Sequence, residues 1–279
     1  MKILIVGLGL MGGAYAYRLK DKGHFVYGYD INNESMDYAL SEGFINAKAD
    51  NLEDIIPNLD LIIISIYPKQ ILAFIDKYKY LFNANLYITD IAGVKSSFLL
   101  DAQNLAKPAK YISHHPMAGR EKIGIRYAKE CNFSGANFLI TTTKYNTNED
   151  INFMKSLGTD LGFKNITSMD YLKQDKMISY TSALAHAIAV ALVNSNDSED
   201  TKDYIGDSYR DLTRIAMINE TLWSELFLEN KDNLIHYISI FEDNIDQIKC
   251  ALISEDKKRL EELFIKSTKI RGDMNKWEN

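Results

Sequence analysis

The sequence predicts an α/β protein, with an N-terminal, mostly parallel sheet flanked by helices and an all-helical C-terminal domain after it. Three observations predict this. Short β-branched runs alternate with helical periodicity to about Ser168, which implies right-handed crossovers and parallel strands. A glycine-rich turn, Gly7-Leu8-Gly9-Leu10-Met11-Gly12, joins the first such run to the first helix. From residue 170 onward there is no proline and the only glycines are Gly206 and Gly272, while apolar residues recur at helical spacing. The expected domains are therefore 1–168 and 169–279.

Lys2 to Val6 reads as a buried strand ended by glycine, and Met11 to Lys22 as a helix stopped by Gly23. Phe25 to Tyr29 is a strand closed by Asp30, and Glu34 to Ser41 a helix before Gly43. Leu61 to Ile66 is a continuous apolar strand of the kind buried on both faces. Lys69 to Tyr80 is helical, Leu86 to Thr89 a strand, Ser96 to Ala106 a helix, Tyr111 to Ser113 a short strand and Asn137 to Thr142 the last strand. The helical half runs through Tyr171–Asn194, Tyr209–Met217, Leu222–Leu228, Asn233–Leu252 and Asp256–Lys269. Its small-residue run Ser182-Ala183-Leu184-Ala185-His186-Ala187 permits close helix packing.

Composition narrows the function classes. A chain of 279 residues with 46% apolar content fills one large core or two moderate ones. A net charge of -6 and a pI near 5.5 exclude a general nucleic-acid binder. Cys131 and Cys250 lack metal-ligand or redox spacing, which fits a reducing, cytoplasmic setting. Lys2 to Ala16 imitates a short signal peptide, but its glycines follow a pattern that a signal peptide has no reason to hold. No apolar run approaches the roughly 20 residues of a membrane span. No metal site and no membrane partner are expected.

The glycine turn follows a strand and opens a helix, and Asp30 ends the next strand, so GxGxxG here reads as a Rossmann-type dinucleotide fingerprint. Gly7 allows the tight turn, Gly9 the approach of the pyrophosphate, and Gly12 close helix–strand packing. Leu10 and Met11 open the helix whose N-terminus meets the phosphates. Asp30 accepts from ribose hydroxyls and repels a 2′-phosphate, so NAD is expected rather than NADP. Ser65 and Tyr67, after another sheet strand, either touch the cofactor or form an ordinary strand-to-helix turn.

His115 follows the strand Tyr111–Ser113 and precedes Pro116. Its imidazole, with an ordinary pKa of about 6.5, either accepts a proton from a substrate hydroxyl or caps the turn.

The block His115-Pro116-Met117-Ala118-Gly119-Arg120-Glu121 resembles the HPMAG-x-E motif of prephenate dehydrogenases. Tyr209-Arg210-Asp211-Leu212-Thr213-Arg214-Ile215-Ala216, followed by Leu222-Trp223 and Glu229-Asn230, is similar to that family's RD-x-TRIA segment and the W…N pattern after it. Thr89-Asp90-Ile91-Ala92-Gly93-Val94-Lys95 is similar to its D-x-x-S-V-K loop. The resemblance spans nearly the whole chain in order.

The resemblance implies an NAD-dependent oxidative decarboxylation of prephenate to 4-hydroxyphenylpyruvate, in tyrosine biosynthesis. His115 matches the catalytic histidine that bonds the ring hydroxyl, and Arg214 the arginine that binds a carboxylate through its planar fork. Glu121 matches an acid at the pocket mouth, and Arg120, where many members have threonine, adds a second positive group. Two positions depart from the pattern. Gly93 stands where the family loop often has a serine that holds the ring hydroxyl near the histidine. Ser182-Ala183-Leu184-Ala185-His186 stands where S-H-L-P-H is common, so His186 is kept and the first histidine is Ala183. His186 is a pocket residue or a satisfied buried histidine, and Lys95 is expected to face solvent.

Competing readings are arogenate dehydrogenase, a β-hydroxyacid-type dehydrogenase, which the HPMAG and TRIA blocks disfavour, and a non-catalytic NAD-binding regulator. The chain's end near Asn279 implies no appended regulatory domain, and the apolar helical half implies a homodimer built upon it.

Overall fold

The computed structural model describes residues 1–118 and 122–275. The chain forms two compact units, Met1–Asn230 and Lys231–Asn279.

The first unit is organised by a six-stranded parallel sheet. Its strands are β1 (Lys2–Val6), β2 (Phe25–Tyr29), β3 (Ala47–Lys48), β4 (Leu61–Ile64), β5 (Tyr87–Asp90) and β6 (Lys110–Tyr111), in the order β3-β2-β1-β4-β5-β6. Helices α1 (Leu10–Asp21), α2 (Asn33–Ser41), α3 (Leu52–Ile55), α4 (Pro68–Tyr78) and α5 (Leu99–Leu105) supply the crossovers. Strand alternation divides the apolar residues between two core layers: Ile3, Ile5, Leu61 and Ile63 join one, and Leu4, Val6, Ile62 and Ile64 the other. The expected parallel sheet and its strand–helix alternation are therefore present. Strand order reverses between β1 and β4, so the crevice for a ligand opens where Gly7 and Ser65 leave their strands.

A second sheet goes beyond the sequence expectation. It is formed by β7 (Ser113–Pro116), β8 (Asn137–Thr142) and β9 (Asn165–Asp170), with β7 antiparallel and β9 parallel to β8. The β8–β9 crossover is α6 (Asn148–Leu161). Its start is a reciprocal cap between Thr147 and Asp150, and its end is Gly162 at φ 93°.

Helix α7 (Tyr171–Ile178), a π-helical turn at Ser179–Ala183, and α8 (Leu184–Asn194) run on as one helix, Tyr171–Asn194. This corrects the expectation about apolar runs. The 24-residue helix, with a mean hydropathy of 1.4 in its most apolar window, is long and apolar enough to cross a membrane by length and composition alone. Its polar residues Gln174, Asp175 and Ser179 are nevertheless buried inside the first unit. Helices α9 (Asp207–Thr213) and α10 (Glu220–Glu229) complete that unit.

The second unit contains α11 (Lys231–Ile253) and α12 (Lys257–Asn275). Leu234 and Ala251 are buried, whereas Ile235, Ile240, Ile245, Leu252, Phe264 and Ile265 are exposed.

Phe138 of β8 lies in the core layer that the small sheet shares with Ile3, Ile5 and Ile63 of the large one. It is fully buried, stacks on His114 at 4.6 Å and meets Phe163 at 5.1 Å between centroids. Phe138→Ala is expected to cost about 3–5 kcal/mol in denaturant unfolding; a loss under about 1 kcal/mol would show that this side chain does not anchor the shared core layer.

Candidate active site

The glycine turn is shaped by contacts that exclude side chains. Gly7 has φ 91°, and a Cβ there would lie 2.4 Å from the Ser65 carbonyl oxygen. A Cβ on Gly12 would lie 1.9 Å from the Gly7 oxygen. At Gly9, by contrast, a Cβ would meet nothing within 4 Å, so the chain offers open space over the helix start. The amides of Leu10, Met11 and Gly12 precede the first intrahelical bond, in which the Gly13 N–H donates to the Gly9 carbonyl at 3.0 Å. Asp30 holds the turn by accepting the Leu8 N–H at 2.6 Å and the Asn32 N–H at 2.8 Å. Each carboxylate oxygen keeps a second acceptor site for a ribose hydroxyl. This cradle fits a dinucleotide's pyrophosphate and ribose. Ser65 packs against the cradle, and Tyr67 is the exposed residue that leads into α4.

His115 lies inside β7, not beyond a strand end. The strand extends to Pro116 because His115 pairs with Leu139 and Pro116 with Phe138 of β8. Alternation then sends the two adjacent histidines to opposite faces. His114 is fully buried, hydrogen-bonded through Nε2 to the Tyr15 hydroxyl at 3.0 Å and through Nδ1 to Thr89 Oγ1 at 2.7 Å. His115 is half-buried and turns toward the loop after β5. Its Nδ1 is 3.0 Å from the Ile91 carbonyl. A carbonyl only accepts, so Nδ1 carries the proton and Nε2 presents a lone pair. A Cβ at Gly93 would lie 3.6 Å from His115 Cε1 and 4.0 Å from Nε2. Gly93 thus leaves open the flank of the ring where the acceptor nitrogen sits.

The ordinary imidazole pKa expected for His115 does not hold. Burial first, and the Lys95 charge second, lower it to about 4; the Ile91 hydrogen bond, Asp90 and a weaker backbone hydrogen bond with Ala92 oppose that shift. His114 is pushed well below the ordinary value by the same two causes in the same order. Both rings are neutral at neutral pH.

Lys95 reverses the expectation of a solvent-facing side chain. It is 0% exposed, and its Nζ donates to Asp90 Oδ1 at 2.6 Å and to the His114 carbonyl at 2.9 Å. Asp90 also accepts from the Tyr111 hydroxyl at 2.8 Å and the Ala92 N–H at 3.0 Å. Helix α7 grips the same loop from the other side. Asp175 accepts the Lys95 N–H at 2.8 Å and the Ser96 N–H at 2.7 Å, and Gln174 Nε2 donates to the Gly93 carbonyl at 3.2 Å. Thr141 holds Gln174, and the Asn230 amide donates to the Asp175 carbonyl at 2.8 Å. Asp90 enters the sequence reading only as the first residue of the D-x-x-S-V-K-like loop, and Asp175 and Gln174 do not enter it.

The opposite wall comes from helices. Leu226 of α10 approaches Gly93, with its Cδ2 3.8 Å from where a Cβ would stand. Trp223, one turn earlier, stacks on His186 of α8 at 3.6 Å. His186 Nδ1–H donates to the Ser182 carbonyl at 2.9 Å. The series His115, Gly93, Leu226, Trp223, His186 thereby links β7 to α8. Arg214, itself exposed, opens the turn Arg214–Ala216, whose Ile215 and Ala216 are part-buried and which packs on α8. Arg120 and Glu121 lie outside the described residues. Among the described residues no cluster of His, Cys, Asp and Glu suits a metal ion.

A doubly wound sheet with a glycine cradle, beside a histidine whose Nδ1 is held by a backbone carbonyl, is the architecture of a nucleotide-binding dehydrogenase. Residues 15–167 match the nucleotide-binding domain of prephenate dehydrogenase, and residues 172–266 match its dimerization domain. The chain belongs to the prephenate dehydrogenase family. It is 28% identical over 274 residues to the prephenate dehydrogenase of Bacillus subtilis, covering 94% of this chain and 73% of that protein. It is 24% identical to the cyclohexadienyl dehydrogenase of Zymomonas mobilis, covering 96% and 94%. The crystal structure of prephenate dehydrogenase from A. aeolicus in complex with hydroxyphenyl propionate and NAD+ superposes with a TM-score of 0.87 at 29% identity, covering 98% of each chain.

The histidine environment has a consequence for stability. Unfolded histidine titrates near 6.5 and folded His115 near 4, so between these values the unfolded chain binds more protons. The stability due to a neutral His115 is complete above pH 6.5 and is lost as pH falls toward 4. Between pH 7 and pH 5 the protein is expected to lose about 2 kcal/mol that His115→Gln does not lose. Parallel pH dependences in urea unfolding would show that His115 is not held neutral by the fold.

Proposed function

We propose that this protein catalyses the NAD-dependent oxidative decarboxylation of prephenate to 4-hydroxyphenylpyruvate, as a cytoplasmic homodimer in tyrosine biosynthesis. The observation that carries the reading is the fixed tautomer of His115, with Nδ1 donating to the Ile91 carbonyl and Nε2 an acceptor beside the open flank at Gly93. The cofactor half is taken as 1–168 and the substrate half as 169–279, a division by role that the family-domain matches at 15–167 and 172–266 support and that differs from the compact units, which part at 230/231.

Gly7, Gly9, Gly12 and the amides of Leu10 and Met11 hold the pyrophosphate of NAD, and Asp30 holds a ribose. Ser65 and Tyr67 border the cofactor at the crevice. When bound, NAD supplies the acceptor for a hydride from the ring carbon that bears the hydroxyl. His115 Nε2 takes the hydroxyl proton, so the oxygen becomes a carbonyl. The ring carboxylate leaves as CO2, and the electron pair of the broken bond returns through the ring to that oxygen. His115 then gives the proton back, and the product is a phenol. Aromatisation makes the sequence irreversible. Arg214, with Arg120, holds carboxylates by forked hydrogen bonds; Glu121 and His186 border the substrate. Gly93 offers no hydroxyl to the ring oxygen, so His115 is its principal protein partner.

Arogenate, the amino-acid analogue, has the same reacting ring, and the cyclohexadienyl dehydrogenase relative favours testing it alongside prephenate. NADH production with prephenate, arogenate or neither discriminates the readings. Prephenate is expected to give the higher kcat/KM. His115→Asn is expected to lower kcat by about 10²–10⁴-fold with NAD affinity retained; near-normal turnover would remove its role. Arg214→Gln is expected to raise the prephenate KM about tenfold or more, and an unchanged KM would remove the carboxylate assignment.

The second unit's exposed apolar residues and the match to a dimerization domain support the homodimer. Light scattering at micromolar concentration is expected to give twice the mass of 31.8 kDa; a monomeric mass would contradict it.

A further inference from the structure

Lys95 has no part in the reaction as described, yet it is the most deeply committed cation around the site. A lysine side chain with 0% exposure is rare unless it is paired, and this one is paired with Asp90 across 2.6 Å. Its position is over-determined. The ammonium bonds Asp90 at the start of the loop and the His114 carbonyl in β7, while its own backbone N–H is held by Asp175 of α7. The loop between Asp90 and Lys95 is thus closed at both ends by one side chain. That loop carries the Ile91 carbonyl that receives the His115 Nδ1–H, and Gly93, which borders the ring. The His114 carbonyl belongs to the residue immediately before His115, so the ammonium grips both the strand that bears the imidazole and the loop that orients it.

We infer that Lys95 is a positioning residue for His115: by bridging Asp90 to the His114 carbonyl it fixes the Ile91 carbonyl against Nδ1 and keeps Nε2 turned to the open flank at Gly93. Lys95 touches neither substrate nor cofactor in this reading, which rests on His115 being the proton acceptor. The charge of the ammonium acts in the same direction as its hydrogen bonds. Lys95 is the second cause, after burial, of the lowered His115 pKa, and it outweighs the opposing pull of Asp90. Among the described residues, the charged or titratable groups around the ring are Lys95 and Asp90 on the loop side and His114 on its own strand, with Asp175 of α7 behind Lys95. From α10 the side chain that comes close is the apolar Leu226. Burial of Lys95 lowers its own pKa, against which the Asp90 carboxylate acts.

The test uses the full-length protein and two readouts. The first is NMR titration of the His115 ring without substrate, and the second is the pH profile of kcat/KM with prephenate. In the wild type both are expected to titrate near 4. Lys95→Met is expected to raise the His115 pKa by about one unit or more, and the acid limb of kcat/KM with it. It is also expected to lower kcat about tenfold or more while the KM for NAD stays within about twofold. Lys95→Gln keeps a donor for Asp90 and the His114 carbonyl, so it is expected to restore much of the kcat of Lys95→Met while leaving the pKa raised. If Lys95→Met does not fold, Asp90→Asn/Lys95→Met removes the pair without leaving a buried charge, and the same readouts apply. A folded variant whose His115 titration and kcat match the wild type would overturn the inference. Because the titration needs no turnover, an inactive wild type with a lysine-dependent His115 pKa would refute the proposed reaction and leave the positioning role standing.

Discussion

The Asp90–Lys95 ion pair is the interaction on which the site depends. Both side chains are fully buried, so each charge is tolerable only because the other is present and the remaining lone pairs and protons are satisfied. The satisfying partners come from different parts of the chain: the Tyr111 hydroxyl from β6, the Ala92 amide from the loop and the His114 carbonyl from β7. One pair therefore joins the end of the large sheet to the start of the small one. Asp175 and Gln174 add the first turns of the helical half to the same knot. The proposed proton acceptor, the loop that orients it and the helix that closes over them are fixed by a single set of buried polar contacts.

Two adjacent histidines show how secondary structure assigns roles to identical side chains. In a loop, His114 and His115 would be equivalent. In β7 the pleat sends them to opposite faces. His114 falls among Tyr15, Thr89 and Phe138, with both nitrogens bonded, and supports the core. His115 faces the loop and keeps one nitrogen basic. Its lowered pKa matters for the proposed chemistry in a specific way. A weaker base drives proton removal less strongly, but it is wholly in the accepting form across the neutral range. It also returns the proton readily to the forming phenol.

Much of the fold was legible because its signals are local. The two-layer pattern of Leu61–Ile64, the Gly7–Gly12 turn and the long apolar periodicity after residue 170 depend on neighbours in sequence. Some local signals were present but unread. The Thr147–Asp150 cap and Gly162 mark both ends of α6. Strand β9 was hidden because its residues are mostly exposed and its apolar content is thin. Membership of the site was harder. His115, Gly93 and His186 were named from their segments, but Lys95 was expected in solvent because lysine normally lies there. Its ammonium is held by Asp90 and by the His114 carbonyl, and the packing of that strand against the loop is a tertiary fact that no local pattern reports. For the same reason the shift in the His115 pKa was invisible: it follows from burial and from a charge whose location was misjudged.

The central claim is that the fold fixes His115 as a neutral imidazole protonated at Nδ1, with Nε2 free to accept. The most direct measurement is the 15N spectrum of the histidine rings at pH 7, with His115 assigned by comparison with His115→Asn. The account predicts a protonated Nδ1 and an unprotonated Nε2 for that ring. A proton on Nε2, or an imidazolium at pH 7, would contradict it.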